Sequence, residues 1–381
     1  MNIRIYDHSY HDVISGGDVI VAEFAKHWEI QGHGVCIYTH PDAAAFFRSR
    51  GIPEKNVSVV RRIRTAYTNV LIGSIAHLFN GVLDAVMMKN PTTDVIFSGS
   101  WSLQDIVPAL IDSWKTPEAK LVVGCYIFLE SPLHKTYGST WINRFAFWLE
   151  YLVGITLTRV NADHVWTASP IDADHIRSRW HIPAYAIRGG ADIHAAKESM
   201  LHTRNKRYDA VYIGRFHPQK NIIELIRIWQ RVTMKKSGLH LVIAGAGFLK
   251  DAICREIQLL GLASTVTVLP MIDGKKKFTL LSESRLFISA SHHDTGNLAL
   301  DEALACGVPG VVYRIPKLVY PQGVVFVPPF DTERFADVIL ALLTDEPLRN
   351  ELSMDAILFA ETINWVFQSQ SALRSLYNHT A

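Results

Sequence analysis

Cysteine is scarce in this chain: Cys36, Cys125, Cys254 and Cys306 are the whole complement, and none stands in a Cys-x-x-Cys pair. A disulfide scaffold is thereby excluded, and neither a zinc ribbon nor a dithiol redox motif is indicated. The thiols are expected to be reduced and mostly buried. Charge of one sign is lacking as well. Thirty-eight Lys and Arg against 36 Asp and Glu leave a formal net charge of +2, short of the basic stripe that nucleic-acid binding needs. No nucleic-acid partner is expected, and any anionic ligand must be met by local groups. Long apolar runs are missing too. The most apolar segment, Trp141 to Val160, is broken by Arg144, Glu150 and Arg159, whereas a spanning helix needs roughly 20 uninterrupted apolar residues. The opening Met-Asn-Ile-Arg-Ile-Tyr-Asp has no signal-peptide core or cleavage site. A cytoplasmic location follows as the expectation. Low-complexity tracts and short-period repeats are absent.

What the chain does have is length and apolar content. Its 381 residues, 49% of them hydrophobic, exceed the roughly 250–300 at which one core stops growing, so two domains are expected. Strand-like and helix-like stretches alternate: Ile3–Ile5 extended, Gly17–Gln31 helical, Gly34–Tyr38 extended, then a helix and Val57–Val60. Further strands are read at Asp94–Ser98, Lys120–Phe128 and Asp163–Thr167, with a helix running through Ile111. This βαβα rhythm predicts a parallel sheet. A glycine-bearing turn at Arg188–Asp192 and the polar sequence through Tyr208 mark the boundary. A second series follows: strands at Ala210–Ile213, Leu239–Ala244, Val266–Leu269, Leu286–Ser289 and Gly310–Tyr313, and helices at Asn221–Met234, through Leu260, and at Leu298–Cys306. From Asp331 onward the pattern is helical only. The expected organisation is an N-terminal Rossmann-like domain over 1–187, a second over 188–360, and a final helix over 361–381 packing back on the first.

Two constellations carry chemistry. In Tyr212-Ile213-Gly214-Arg215-Phe216-His217-Pro218-Gln219-Lys220-Asn221 a guanidinium and an ammonium stand five residues apart where a strand gives way to a helix. Ligands bind at the carboxyl ends of strands in open α/β sheets, and this pair suits a diphosphate. The alternative is an ordinary surface Arg and Lys. The second is Ser291-His292-His293-Asp294-Thr295-Gly296-Asn297-Leu298, continuing to Glu302 and then Ala303-Leu304-Ala305-Cys306-Gly307-Val308-Pro309. Its glycine-bearing turn can offer amides to phosphate, while Glu302, one turn into a helix, can accept from hydroxyls. In the first half, Ser15-Gly16-Gly17-Asp18 forms a similar but weaker turn between strand and helix.

These motifs together resemble GT-B glycosyltransferase family 4, over nearly the whole chain. That family carries Gly-Arg and Lys-Gly, then Glu-x7-Glu and Ala-x-Ala-Cys-Gly-x-Pro. Gly16-Gly17, Gly32-His33 and Gly190-Ala191-Asp192 are similar to further family turns. The resemblance implies two Rossmann-like domains facing each other across a deep cleft, and retaining transfer from a nucleoside diphosphate sugar, UDP- or GDP-linked. It places Arg215 and Lys220 on the diphosphate, Glu302 on the ribose and Asp294 at the donor sugar. Gly16, Gly17, Gly214, Thr295, Gly296, Asn297 and Leu298 complete the donor cradle, with Met271 and Ile272 at the base. No metal or other cofactor is implied, and the nucleotide sugar is a co-substrate. The acceptor is left open among glycans, glycolipids and small molecules, with peripheral contact at the inner face of a membrane as an option. His134 and Glu130 are candidates for acceptor contact or proton handling, against a plain loop histidine and surface glutamate.

The chain departs from the family's pattern at Asp294 in place of glutamate, at Asn221 in place of glycine, at Ala290-Ser291 in place of Pro-Ser, and at Asn297 where a second glycine is common. Two other readings therefore stand beside transfer: a catalytically silent partner of another transferase, and a sugar-nucleotide 2-epimerase or phosphorylase on the same architecture. Gly245-Ala246-Gly247 reads as a structural turn, not a dinucleotide fingerprint. His292-His293 and His8-x-x-His11-Asp12 do not supply a closed metal shell. Trp141, Phe145, Trp148 and Leu152 form a helical stripe, facing the core or else an interface. Arg61-Arg62-Ile63-Arg64 and Lys275-Lys276-Lys277 are read as solvated loops.

Overall fold

The computed structural model describes residues 1–8, 15–59, 70–87, 92–126, 141–203 and 205–377, side chains at 42, 70–73 and 141–144 excepted. Glu130, His134, His11, Asp12 and Arg61–Arg64 lie outside the described residues. The chain divides into two units, Met1–Gly189 with Trp365–Ala381, and Gly190–Asn364.

In the first unit, short apolar runs make the parallel strands β1 (Asn2–Tyr6), β2 (Gly34–Thr39), β3 (Val57–Val59), β4 (Val95–Ser98), β5 (Lys120–Gly124), β6 (His164–Thr167) and β7 (Ala184–Ala186). Their spatial order is β3-β2-β1-β4-β5-β6-β7. Between them run α1 (Gly16–Ile30), α2 (Pro41–Ser49), α3 (Val70–Met87), α4 (Leu103–Lys115), α5 (Trp141–Asn161) and α6 (Pro170–Trp180). The strand predicted over Lys120–Phe128 ends at Gly124. Ala184–Ala186, not singled out in the sequence, pairs with β6 as the edge of the sheet.

Ser15 starts α1 through a capping box, its hydroxyl accepting from Asp18 N at 3.2 Å while Asp18 Oδ2 accepts from Ser15 N at 2.6 Å. Gly16 and Gly17 thus occupy the first helical positions, where backbone N–H groups have no intrahelical acceptor. On the same helix, Phe24 and Trp28 are fully buried. Phe145 on α5 is about half exposed and its ring lies 5.8 Å from that of Trp148, so the part of that stripe which is described is not a core face throughout.

The second unit repeats the plan. After α7 (Ile193–His202) come β8 (Tyr208–Ile213), α8 (Ile222–Lys235), β9 (Leu241–Ala244), α9 (Lys250–Leu259), β10 (Val266–Leu269), α10 (Gly274–Ser282), β11 (Ser284–Ser289), α11 (Leu298–Ala305), β12 (Gly310–Tyr313) and β13 (Val324–Val327). The strands are parallel in the order β10-β9-β8-β11-β12-β13, and one core of aliphatic and aromatic side chains lies beneath them. Two helices, α12 (Thr332–Thr344) and α13 (Glu346–Thr362), finish this unit. The last helix, α14 (Trp365–Ser375), belongs to the first unit. There Trp28 Nε1 donates to Ser369 O and Trp166 Nε1 to Ser375 Oγ, both at 2.9 Å. Each buried indole N–H thereby gains the partner it needs.

Two expectations are corrected in the second unit. Polar sequence after Asp192 is helical, because the Asp192 carboxylate caps Ala195 N at 2.9 Å. Lys275-Lys276-Lys277 is the first turn of α10, not a solvated loop, with Asp273 as N-cap accepting from Gly274 N at 2.8 Å. Val324–Val327 is a strand along β12. No described helix is long and apolar enough to cross a membrane.

Candidate functional site

Strand order locates the site in the second unit. β9 and β10 lie on one side of β8, and β11 lies on the other, so the connections diverge between β8 and β11. At such a switch point the loops leaving the strand ends part and open a crevice for ligand. The loop after β8 carries Gly214–Lys220 and the loop after β11 carries Ala290–Asn297, which are the two constellations singled out from the sequence.

They are joined by charge and by backbone. Lys220 Nζ donates to Asp294 Oδ2 at 2.7 Å, with side-chain exposures of 16% and 7%. Gln219 staples the loops: its Nε2 donates to His293 O at 2.8 Å, and its own carbonyl accepts from Ser291 Oγ at 3.2 Å. Arg215 is half-buried, and among the described residues no carboxylate comes within 4 Å of it. Its effect is electrostatic. Burial first, then the charges of Arg215 and Lys220, pull His217 down to about 4. Burial, and after it the Asp294 carboxylate, hold the Tyr212 phenol far above its usual value, while Arg215 opposes them.

The backbone of this loop depends on its neighbours. A β-carbon on Gly245 would run into the Gly214 carbonyl, and one on Gly247, where φ is +146°, would lie 2.6 Å from Phe216 O. Gly245-Ala246-Gly247 is therefore the turn that lets the Arg215 loop fold down, with Phe216 N donating to Ala246 O at 2.7 Å. Asn221 has φ +50°, the left-handed conformation that glycine adopts freely and asparagine tolerates. That accounts for the asparagine at a position where the family has glycine.

On the other side of the crevice, Asn297 caps α11 through Oδ1, which accepts from Leu300 N at 3.2 Å. Tyr320 holds that turn, its hydroxyl donating to Asp301 Oδ1 at 2.8 Å and lying 3.3 Å from Asn297 O. The first N–H groups of α11 have no partner within the helix, so this N-terminus favours an anion. One turn in, buried Glu302 accepts from Lys277 Nζ at 2.6 Å, and Lys277 also meets Asp273 at 3.0 Å. Burial works against the charge on Lys277, but Glu302 and then Asp273 outweigh it and its ammonium is held above the usual lysine value.

Met271 and Ile272 come one residue after β10, past Pro270, Met271 exposed and Ile272 half-buried. Arg215, Lys220, Asp294 and Glu302 thus fall on the loops and helix at this end of the sheet, whereas Gly16 and Gly17 belong to the first unit. Gln219, Lys277 and Tyr320 escaped the sequence reading. Gln219 stood inside a quoted motif and Lys277 inside a charge run, but nothing local signals that Lys277 would reach Glu302, or that Tyr320 would reach Asn297 and Asp301. Among the described residues no three His, Cys, Asp or Glu are grouped to hold a metal ion. His292 turns instead to Asn221, with Nε2 at 2.6 Å from Nδ2, and stacks near Tyr313 and Phe330. All four cysteines are free, Cys125 and Cys306 buried and the other two half-buried.

Comparisons with known proteins bear on the fold and on the second unit. Residues 197–358 match the family model of glycosyl transferases group 1. The O-antigen chain mannosyltransferase B of Escherichia coli is 26% identical over 161 residues, 41% of this chain and 42% of that protein. The GDP-mannose:cellobiosyl-diphosphopolyprenol alpha-mannosyltransferase of Xanthomonas oryzae pv. oryzae is 24% identical over 250 residues, 60% of this chain and 64% of that one. The chain thus spans less than two thirds of these curated relatives. Among solved structures, Anabaena HepE in complex with UDP and glucose superposes with a TM-score of 0.75 at 17% identity, covering 99% of this chain and 100% of the other. The pneumococcal O-GlcNAc transferase GtfA in complex with UDP and GlcNAc gives a TM-score of 0.75 at 10% identity, covering 99% and 98%. Residues 197–358, within the second unit, thus resemble glycosyl transferases group 1, and the chain has the GT-B fold of two Rossmann-like domains seen in these solved structures.

Proposed function

We propose that this protein is a retaining glycosyltransferase of family 4 that moves a sugar from a UDP- or GDP-sugar to an acceptor in glycan, glycolipid or glycoconjugate synthesis. The observation that carries this reading is the meeting of Lys220 and Asp294 at 2.7 Å across the switch point of the second sheet, with Arg215 on the same loop. Relatives named as mannosyltransferases and neighbours solved with UDP support it.

Arg215 and Lys220 hold the diphosphate, and the amides of Gly214, Thr295, Gly296, Asn297 and Leu298 complete its cradle. As the glycosidic bond to the diphosphate breaks, negative charge accumulates on the leaving oxygen. Fixed cations and amides stabilise that charge more in the transition state than in the ground state. When the diphosphate takes Lys220, Asp294 is released to accept from hydroxyls of the donor sugar. Glu302, oriented by Lys277, accepts from the ribose, and the chain at Met271 and Ile272 borders the base. These cations and helix ends make a metal unnecessary. His134 and Glu130 remain the candidates for acceptor contact. The work is assigned to the cytoplasm, with peripheral membrane contact where the acceptor is a glycolipid.

The test is calorimetric titration of UDP, GDP, ADP and their sugar conjugates without added metal. Saturable binding of one diphosphate family, lost in Lys220→Ala while the nucleoside is bound as before, and sugar transfer from its conjugate support the proposal. Binding without turnover would point to the silent partner, release of an epimerised sugar to the epimerase, and absence of any binding would end the donor-site reading.

A further inference from the structure

α10 has a second useful side. Lys277 reaches Glu302, while Lys275, Phe278 and Thr279 line a groove of about 560 Å3 against α7. Arg215, Lys220, Asp294 and Glu302 take no part in its wall. We propose that this groove is a second binding site, for a short segment of uncharged oligosaccharide, separate from the donor cradle and independent of the donor chemistry proposed above.

A buried hydroxyl in the wall of the groove is the first reason. A serine inside a helix ordinarily bonds back to the carbonyl one turn earlier, and one turn later Thr203 does so, its Oγ1 donating to Ser199 O at 2.9 Å. The Ser199 hydroxyl is different. Its residue is 8% exposed, it lines the groove, and its Oγ has no hydrogen-bond partner. A buried hydroxyl that nothing satisfies is destabilising, so its persistence points to a partner from outside.

The remaining groups define what that partner is. His202 Nδ1 lies 2.7 Å from Glu198 O; a carbonyl only accepts, so Nδ1 carries the hydrogen, and in the neutral ring Nε2 is the atom left to accept from a hydroxyl. Asn205 adds an amide, and Phe278 an apolar wall. The charges around them are already answered: Glu198 by Lys275 at 3.3 Å, Arg207 by Glu283 at 3.4 Å, and Asp192 by the N–H of Ala195. No unpaired cation in the described wall calls for a phosphate or a carboxylate. Uncommitted donors and acceptors beside an apolar wall are the complement of a sugar, with its ring of hydroxyls and its C–H face. The volume falls within the roughly 300–1,000 Å3 of small-molecule sites and admits a di- or trisaccharide.

Saturation-transfer NMR and calorimetry of the full chain with maltotriose, cellotriose and linear mannotriose, against trigalacturonate as the charged control, decide the matter. Thr279→Arg sets a guanidinium over the mouth of the groove from an exposed position, and Ser199→Ala removes the hydroxyl without adding bulk. A neutral trisaccharide is expected to bind, at least tenfold more weakly to Thr279→Arg and several-fold more weakly to Ser199→Ala, with the melting temperature of both variants unchanged. The proposal is overturned if none of the three binds at millimolar concentration, if binding survives Thr279→Arg, or if trigalacturonate is preferred. Failure of the donor reading registers elsewhere, in the nucleotide titrations.

Discussion

Replacing Lys277 by methionine isolates what its ammonium does. The flexible methionine chain keeps much of the lysine stem's packing, and what disappears is the charge at 2.6 Å from Glu302 Oε1 and 3.0 Å from Asp273 Oδ1. Asp273 is about half exposed and returns to water. Glu302, at 10% side-chain exposure, cannot. Its escape is to take up a proton, and the cost of doing so caps the damage at about 1.36 kcal/mol for each pH unit above an ordinary glutamate value near 4.3. The cap is about 3.7 kcal/mol at pH 7 and about 1 kcal/mol at pH 5, and the pH 7 figure agrees with the roughly 3–5 kcal/mol found when one member of a buried pair is removed. Chemical unfolding of the parent and the variant, followed by tryptophan fluorescence at both pH values, should give a destabilisation of about 3 kcal/mol at pH 7 that shrinks below about 1 at pH 5. Adding Glu302→Gln should recover most of the loss at pH 7. The parent carries the mirror-image signature: a lysine held above its unfolded value contributes stability that is complete below about pH 10.4 and is lost as pH rises through the raised folded value. Equal destabilisation at pH 5 and pH 7, or no recovery in the double variant, would refute the account of Lys277 as the counter-ion of Glu302.

Three further outcomes follow from the same loops. His217, held near 4 by burial and by Arg215 and Lys220, should titrate well below an ordinary histidine in NMR, and Arg215→Ala should raise its midpoint; a midpoint at the usual 6.5 would contradict the placement of both cations. Because this histidine is depressed in the folded state, its contribution to stability is whole above about pH 6.5 and is lost as pH falls toward 4. Asn221→Gly should leave the melting temperature nearly unchanged, while Asn221→Val should cost about 1–2 kcal/mol, the penalty for a left-handed backbone with a β-carbon; equal effects in thermal unfolding would mean that φ is not the constraint. Gly245→Ala drives a methyl into the Gly214 carbonyl and should destabilise by at least the upper part of the about 1–3 kcal/mol typical of overpacking, with nucleotide binding lost alongside; a protein of parental stability would show that this turn yields freely.

Much of this was legible in the sequence, for reasons that differ by element. β10 and β12 were read at their observed limits because each is a short run of β-branched or apolar residues bounded by a turn. β7 and β13 were missed because edge strands need less apolar sequence: β7 is three residues long and follows Pro183, and three of the four residues of β13 are only half-buried. α10 was missed for an electrostatic reason. Three lysines at the positive end of a helix oppose its dipole, so the local signal argues against a helix; the compensation is Glu302, 25 residues away on α11. The Arg215–Lys220 and Asp294–Glu302 motifs were found because strand ends and glycine turns leave local marks. That Gln219 and Tyr320 would fasten them was not, since those bonds span 74 and 19 residues.

The return of α14 to the first unit makes the second unit an insertion, and this sets an order of events at the ribosome. Trp28 and Trp166 wait for Ser369 and Ser375 to satisfy their indole N–H groups, and roughly 175 residues intervene between Gly189 and Trp365. At about 5–20 residues per second, that is on the order of 9–35 s during which the first sheet is made but not closed. The inserted unit is contiguous in sequence and can finish folding earlier. The half synthesised first is therefore completed last.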